Sequence, residues 1–457
     1  MQRALYMRRM TKSELSPESI LSTLIETCTK AGASDADASY GRSDGVSVEV
    51  REGKLEGIER SESQGVALRC FFGQRQASVS GSDTSPDGLK TLAERCVAMA
   101  KVVPEDPYCG LAPADQLATD MPHIDLEGDG EIAADLMERE ALEAEAAALA
   151  VKGVKQVSGC GNGWSTSERW VAASNGFAAH KKSGSTGLGL AAVAEKDGAM
   201  ERDYESRSVR RLEDRPSAVE IGTIAGERAV ARLAPRKLKT QTGAVIYDRR
   251  VSASLIGAFL SAISGPSVAR GVSFLKDHLG EQLFAKDVNL VEDPFRARGM
   301  GSRVHDGEGR PVTRKNLIDN GVLTRWLLNG ASAKQLGMDP NGQASGGFGS
   351  PPGVGVSNTY LEAGDKTPAE LMAGIGKGLL VADMFGPSIN PNTGDYSVGV
   401  AGFWFENGEV QYPVSEVTIA GDLPGMFKRL VPASDLEFRG SRDAPSILIE
   451  DMSIAGE

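Results

Sequence analysis

The stretch Gly243-Ala-Val-Ile-Tyr247, followed by Asp248-Arg-Arg-Val-Ser-Ala-Ser-Leu-Ile-Gly-Ala-Phe-Leu-Ser-Ala-Ile-Ser-Gly265, decides how the C-terminal half of the chain is interpreted. Its first five residues form an apolar run that is typical of a strand. The residues that follow predict a helix, and its side chains are small or apolar. Such a strand and helix would form the start of a separate C-terminal domain.

This predicted helix lacks the residues that a metal-binding helix needs. A zinc hydrolase carries two His and a Glu on one helix face, because adjacent turns bring those side chains to one ion. The segment from Val251 to Gly265 offers Ser, Ala, Leu, Ile, Gly and Phe instead. The fragment His305-Asp-Gly-Glu308 is the nearest alternative, and a turn at Asp306-Gly307 explains it. We therefore expect no mononuclear zinc site.

The four histidines are scattered along the chain and none lies four residues from another. Each is expected to be a surface or turn residue. They are His123, His180, His278 and His305. The chain also lacks a Gly-x-Ser-x-Gly elbow, and its glycine-rich loops do not complete a phosphate-binding motif. No general acid–base pair can be named from the sequence.

Length and charge narrow the class of protein. A chain of 457 residues predicts about two to three domains. The formal net charge is −12, and acidic residues are interleaved with the Lys and Arg clusters. A surface that neutralises nucleic-acid phosphates is normally basic. We therefore expect no nucleic-acid partner.

The five cysteines form no Cys-x-x-Cys pair, which favours free thiols in a reducing compartment. No run approaches the roughly 18 apolar residues that span a bilayer. We therefore expect a cytoplasmic protein without a membrane partner.

The order of elements predicts an α+β fold in which one layout occurs twice. Ser16-Pro17 and Ser85-Pro86 are typical helix starts, and strand-like runs lie between them. A proline-rich linker follows, and then a second set of helix, strands and helix. Four strand-like runs are predicted in each set. Those of the first set are Val46 to Arg51, Leu55 to Arg60, Gly65 to Phe72 and Arg75 to Ser80; those of the second are Lys155 to Ser158, Trp170 to Ala173, Phe177 to Lys182 and Gly187 to Glu195.

We predict three domains on this basis. Residues 1–115 form an N-terminal α+β domain, and residues 125–236 form a central α+β domain of similar layout. Residues 237–457 form a mainly antiparallel β domain, because hairpin signals recur there at Asp306-Gly307, Asn320-Gly321 and Asn407-Gly408. One further helix is predicted from Thr367 to Leu380.

The segment from Phe385 to Val400 is a candidate contact loop. Its Gly, Pro and Asn residues constrain the backbone, and its polar groups can serve a ligand or the loop itself. Two hypotheses stay open: the loop stabilises itself, or it contacts a groove or an interface. The residues in question are Ser388, Asn390, Asn392, Thr393 and Asp395.

The same segment carries a family resemblance. Gly386-Pro-Ser-Ile-Asn-Pro-Asn-Thr-Gly-Asp-Tyr-Ser-Val-Gly399, Glu406 to Val414 and Val417-Thr-Ile-Ala-Gly421 resemble the PmbA/TldD family of peptidases, also described as modulators of DNA gyrase. The helix ending at Gly265, Asp287 to Gly301 and Asp319 to Leu323 agree with it. The resemblance extends over nearly the whole chain.

The resemblance implies a division between two branches that pair as a heterodimeric zinc peptidase. The TldD branch carries His-Glu-x-x-x-His on the helix equivalent to this one, and a Cys ligand near its C-terminus. Alignment of that motif through Gly257 places Ala253 and Ala258 at the two His and Ser254 at the Glu. No Cys lies between Leu436 and Met452. The chain thus resembles the metal-free PmbA/TldE branch.

We therefore predict a non-catalytic subunit of a TldD/TldE-type metallopeptidase that acts on small unfolded proteins and peptides. No cofactor is expected in this chain, and zinc is expected only in a TldD-like partner. A homodimer of the isolated chain stays open. The alternatives are a regulatory protein that binds DNA gyrase or another partner, and an autonomous hydrolase with an unrecognised site.

Overall fold

The computed structural model of the protein describes residues 15–457, so the start of the predicted first domain lies outside the described residues. The helices within this range are α1 (Pro17–Lys30), α2 (Pro86–Ala100), α3 (Ala134–Ala150), α4 (Ala218–Ala231), α5 (Arg249–Ala262), α6 (Gly265–Ala269), α7 (Gly330–Leu336), α8 (Pro368–Ile375) and α9 (Leu423–Lys428).

The strands of the same range differ widely in length, from 2 residues in β10 to 20 residues in β4. They are β1 (Asp35–Arg51), β2 (Lys54–Phe72), β3 (Arg75–Gly81), β4 (Val154–Ala173), β5 (Ala178–Lys196), β6 (Ala199–Val209), β7 (Gln241–Tyr247), β8 (Leu290–Asp293), β9 (Lys315–Asp319), β10 (Val322–Leu323), β11 (Ala344–Ser345), β12 (Gly353–Val354), β13 (Asn358–Leu361), β14 (Lys377–Ile389), β15 (Asp395–Glu406), β16 (Glu409–Asp422), β17 (Val431–Pro432), β18 (Arg442–Asp443) and β19 (Ile447–Ala455).

The α+β class and the repeated helix–strands–helix order are confirmed. The two sets share one antiparallel sheet in the order β3-β2-β1-β4-β5-β6. They join where β1 pairs with β4, from Asp37 opposite Ala173 to Val50 opposite Cys160. The domain boundaries themselves stay a prediction.

The prediction of four short strands in each set was wrong, because each set has three long strands. The runs Leu55 to Arg60 and Gly65 to Phe72 belong to one strand, β2. The polar residues between the two runs predicted a break in the strand. Residues 54–64 are exposed, however, and backbone pairing with β1 holds them in the sheet without burial of apolar side chains.

The predicted helix starts are confirmed by their caps. The Ser16 and Ser85 hydroxyls accept hydrogen bonds from the backbone N–H groups of Ser19 and Gly88. These bonds satisfy N–H groups that lack a partner within the helix. Helices α1 and α2 then pack on the strands of the first set, and α3 and α4 on those of the second.

Helices α3 and α4 approach one another with almost no side chain between their backbones. A Cβ added at Gly222 would lie 2.1 Å from the carbonyl oxygen of Ala144. A contact this short requires glycine, because backbone atoms cannot move aside as a side chain can. Gly222 therefore sets the spacing of this helix pair.

The C-terminal domain is built around a sheet in the order β16-β15-β14-β7-β19-β17, in which β16 also pairs with β19. Its pairings are antiparallel except for β14 with β7. Apolar residues of α5 and α9 pack in the large core on one side of this sheet, and α8 packs on the other. A second sheet has the order β10-β9-β8-β13-β18.

Two of the three predicted hairpin turns are confirmed. Asn320-Gly321 and Asn407-Gly408 have positive φ at both residues and connect β9 to β10 and β15 to β16. Asp306-Gly307 instead lies in a longer loop that is closed by one bridge between His305 and Pro311. The left-handed residue of that loop is Gly309, with a φ of 81°.

The prediction of a helix from Thr367 to Leu380 was wrong at its end. Thr367 and Glu370 form a capping box at the start, but α8 ends at Ile375. Gly376, with a φ of 84°, follows it, and Leu380 lies in β14. The apolar run was ambiguous because buried strands and helix ends have similar composition. Among residues 15–457, no helix has the length and apolar character required to cross a membrane.

Candidate functional site

The three positions aligned with the family's metal motif lie on one side of α5. Ala253 and Ala258 are half-buried and Ser254 is exposed. The opposite side of the helix, which includes Leu255 and Phe259, is buried in the large core. The three positions fall within about 140° of the helix circumference. Ala253 and Ser254 are on the open side, and Ala258 is at the edge of the core.

The residues at these positions do not fit a zinc ion. Ala253 and Ala258 offer only methyl groups, and the Ser254 hydroxyl donates to the carbonyl of Val251 at 2.6 Å. Protein-bound zinc requires imidazole nitrogen, thiolate or carboxylate ligands. Within residues 15–457, no three His, Cys, Asp or Glu side chains are grouped so that they could hold a metal ion.

An exposed positive charge also lies on the open side of α5. A Cβ added at Gly257 would lie 2.6 Å from Nη1 of Arg442, which comes from β18. Arg442 is exposed and forms no ion pair with any residue that the structure describes. A guanidinium on this side of the helix would repel a divalent cation bound there. The absence of ligands and the charge of Arg442 disfavour a metal for independent reasons.

The candidate contact loop, Phe385 to Val400, is mostly strand: β14 runs to Ile389 and β15 begins at Asp395, so only residues 390–394 form a connection. Thr393 donates from Oγ1 to Oδ2 of Asp395 at 2.6 Å, and the Asn390 side chain accepts from the N–H of Asn392 at 3.0 Å. Ser388 is opposite Ser397 in the β14–β15 ladder. These bonds support the hypothesis that the loop stabilises itself. All five side chains are exposed, so a contact with a groove or an interface stays a prediction.

A cavity of about 960 Å³ lies between the segment around Met121 to Glu127, strands β4 and β5, and loops of the C-terminal domain. His123, His180 and His305 line it, although the sequence placed them on unrelated turns and surfaces. His180 stacks on Trp170 with a centroid distance of 4.4 Å. His123 and His180 are exposed, as expected of surface residues, and His305 is half-buried in its loop. The sequence did not show that the three lie around one cavity, because β5 and the loop at His305 meet only in the folded chain.

His305 is held in a defined state. Its Nδ1 lies 2.7 Å from the carbonyl oxygen of Asp306, so Nδ1 carries the proton and donates it. Burial lowers the pKa of His305, with smaller effects from Lys181 and Arg303, and favours the neutral ring. The Asp306 carboxylate beside it is 1% exposed and accepts backbone N–H groups from Glu308, Arg310 and Ala344.

The cavity is suited to binding and offers no evident hydrolytic pair. Among the described residues, histidine side chains hydrogen-bond only to Glu281 and to the Asp306 carbonyl. A nucleophilic site of the serine or cysteine type requires the hydroxyl or thiol within hydrogen-bonding reach of a base. Sequence reasoning missed the basic lining of the cavity, which includes Arg169, Lys181 and Arg303. The only local signal was the run His180-Lys-Lys182.

Comparison with known proteins covers nearly the whole chain. Residues 36–100, 129–233 and 240–456 match domain 1, the central domain and the C-terminal domain described for PmbA/TldA metallopeptidases. The Metalloprotease PmbA of Escherichia coli O157:H7 is 33% identical over 96% of each chain. A Metalloprotease PmbA homolog of Haemophilus influenzae is 34% identical over 95% of each chain.

Solved structures show the same fold. A proposed modulator of DNA gyrase from Bacteroides thetaiotaomicron is 25% identical, with a TM-score of 0.89 over 96% of this chain and 99% of that one. TldE from Thermococcus kodakarensis is 21% identical, with a TM-score of 0.83 over 95% of this chain and 99% of that one. At that identity, the second comparison shows the fold alone.

Proposed function

The chain belongs to the PmbA/TldD metallopeptidase family, and we propose that it is the metal-free, TldE-like subunit of a heterodimeric TldD/TldE-type metallopeptidase. In this proposal the complex degrades or processes small unfolded proteins and peptides. The chain does not cleave a peptide bond on its own, and zinc belongs to the TldD-like partner.

The observation that carries the proposal is the open side of α5. A metallopeptidase activates water by lowering its pKa on a metal ion and polarises the peptide carbonyl with the same ion. Ala253, Ser254 and Ala258 provide no ligand for that ion, and Arg442 places a positive charge beside them. The α5 side that would face the ion therefore lacks both the metal site and a base.

The same region offers backbone groups for assembly. Strand β14 pairs with β7 only from Gly378 to Val381, and beyond that point it pairs with β15 alone. Phe385 and Ile389 are exposed on this outer part. An open strand edge can accept a further strand through main-chain hydrogen bonds. This supports a role in contacting the partner subunit or an unfolded peptide substrate.

A cleavage assay with an unfolded peptide tests the proposal. This chain, a TldD-like partner and their mixture are compared at equal concentrations. We expect cleavage that depends on the mixture and disappears when the Glu of the partner's His-Glu-x-x-x-His motif is replaced by Gln. Cleavage by this chain alone, after its separation from any metallopeptidase, would contradict the proposal.

A regulatory role is the second candidate. It is supported by the 25% identity to the Bacteroides thetaiotaomicron protein described as a proposed modulator of DNA gyrase. Affinity purification from cell lysate separates the two functions. Recovery of a TldD-like chain supports the peptidase subunit, whereas recovery of gyrase subunits without such a chain supports regulation.

A further inference from the structure

The cavity contains a lysine that lacks a negative partner. Nζ of Lys181 donates to the carbonyl oxygen of Ser302 at 3.1 Å, and no carboxylate of a described residue forms an ion pair with it. The charged groups that act on it are Arg210, Arg303 and Arg169, all positive. Burial first and then these arginines lower the pKa of Lys181. This part of the cavity therefore has an excess of positive charge.

Carboxylates at the edge of the cavity are already paired. Glu127 lies 3.1 Å from Nζ of Lys182, the residue next to Lys181. The Glu168 carboxylate accepts hydrogen bonds from the guanidinium of Arg42 on the neighbouring strand β1. Neither acid forms an ion pair with Lys181, and each is already paired with another cation.

Carboxylates deeper in the protein serve other groups. Asp306 accepts three backbone N–H groups, which fixes both of its oxygens. Glu292 lies 3.6 Å from Arg303, but it also lies 3.7 Å from Lys315 and accepts bonds from Ser357. The four cations grouped here, Lys181, Arg169, Arg210 and Arg303, outnumber these two carboxylates. The surplus around Lys181 is therefore not cancelled from within the protein.

Apolar side chains form part of the remaining lining. Ile124, Leu126, Val171 and Phe348 line the same cavity. A volume of about 960 Å³ lies within the range of small-molecule sites, which are mostly apolar with a few placed polar groups. Such a cavity suits a ligand that has an apolar body and one anionic end.

We propose that this cavity binds an oxyanion, either a carboxylate or a phosphate, joined to an apolar body, and that Lys181 is its principal contact. Arg303 and Arg169 flank the anion, and the apolar walls hold the body of the ligand. The free C-terminus of a short apolar peptide and a phosphorylated small molecule share this chemistry. The proposal goes beyond the peptidase assignment, because it requires only the cavity and its charges.

Calorimetric titration of the full chain tests the site with three probes. They are the peptide acetyl-Leu-Phe with a free carboxylate, the same peptide with a C-terminal amide, and inorganic phosphate. Tighter binding of the carboxylate than of the amide identifies a peptide terminus. Binding of phosphate without that preference identifies a phosphate ligand. The proposal would be overturned if neither the peptide with a free carboxylate nor inorganic phosphate bound more tightly than the amidated peptide.

Variants separate the site from a general charge effect. Lys181→Met should weaken oxyanion binding at least about tenfold, because a charge-assisted hydrogen bond is lost. Lys181→Arg should retain most of the affinity. Lys182→Met is the matched control and should change it less than about twofold, since Lys182 is exposed like Lys181 but is already paired with Glu127. Equal losses in the two methionine variants would contradict the assignment of Lys181.

A stability measurement distinguishes binding from a structural role. Removal of a cation that three arginines oppose should leave the melting temperature of Lys181→Met unchanged or raised. A structural lysine would instead lower it. Loss of oxyanion binding together with a lowered melting temperature in both Lys181 variants would count against the proposal.

Discussion

Replacement of Asp306 by alanine is expected to destabilise the C-terminal domain, because this buried carboxylate joins two segments of the chain. Its Oδ1 accepts the N–H groups of Glu308 at 2.8 Å and Arg310 at 2.9 Å, which close the loop. Its Oδ2 accepts the N–H of Ala344 at 3.2 Å, at the start of β11. The same loop carries His305 and forms one wall of the cavity.

The size of the effect follows from these bonds. Alanine leaves three buried N–H groups without their acceptor, and each such group costs about 1–3 kcal/mol. Because Asp306 borders the cavity, water can reach part of the gap, so the lower end applies. We expect about 3 kcal/mol for Asp306→Ala. Asp306→Asn keeps one carbonyl oxygen and should lose about 1–2 kcal/mol.

Denaturant unfolding combined with amide hydrogen exchange measures this effect. Exchange should accelerate at the amides of Glu308, Arg310 and Ala344 in the alanine variant. Asp422→Ala is a matched control, because Asp422 also accepts a backbone N–H, from Gly425 at 2.7 Å, but is exposed. Asp422→Ala should lower the free energy of unfolding by about 1 kcal/mol. A loss below about 1 kcal/mol for Asp306→Ala, or equal losses at both sites, would refute the reasoning.

Three further predictions concern the fold and its titratable groups. Gly222→Ala should destabilise the protein by about 1–3 kcal/mol, since the new Cβ meets a backbone carbonyl. Gly257→Ala meets only the mobile end of an arginine and should stabilise the protein by up to about 1 kcal/mol. Thermal unfolding of both variants tests these two expectations. Burial lowers the folded-state pKa of His305, so the unfolded chain binds more protons and stability should fall as pH drops below about 6.5. His305→Gln should reduce that loss, and parallel pH curves for the two proteins would contradict it. Alkylation of the native protein should modify Cys109 first, because it is half-buried and the other cysteines are buried; an unchanged fast phase in Cys109→Ser would contradict this.

Local signals in the sequence predicted much of the secondary structure. Ser16 and Ser85 were recognised as helix caps because capping depends on a few adjacent residues. Asn407-Gly408 was recognised as a hairpin turn for the same reason. The long exposed part of β2 was missed, because its stability comes from pairing with β1 and not from its own apolar pattern.

The cavity could not be predicted because its residues are far apart in the sequence. Lys181 lies on β5, whereas Arg303 and His305 lie on a loop of the C-terminal domain. Their proximity depends on how the sheet that contains β5 packs against the C-terminal domain, and local periodicity does not encode that packing. Ala253 and Ser254, by contrast, were assigned by alignment of the family motif through Gly257, which needs no tertiary information.

The zinc content of the purified chain, measured alone and with a TldD-like partner, tests the central claim most directly. The open side of α5 has no ligand at Ala253, Ser254 or Ala258, and Arg442 adds a positive charge beside them. We therefore expect no stoichiometric zinc in the isolated chain, and stoichiometric zinc only in the complex. Stoichiometric zinc in the isolated chain, accompanied by peptide cleavage, would contradict the account.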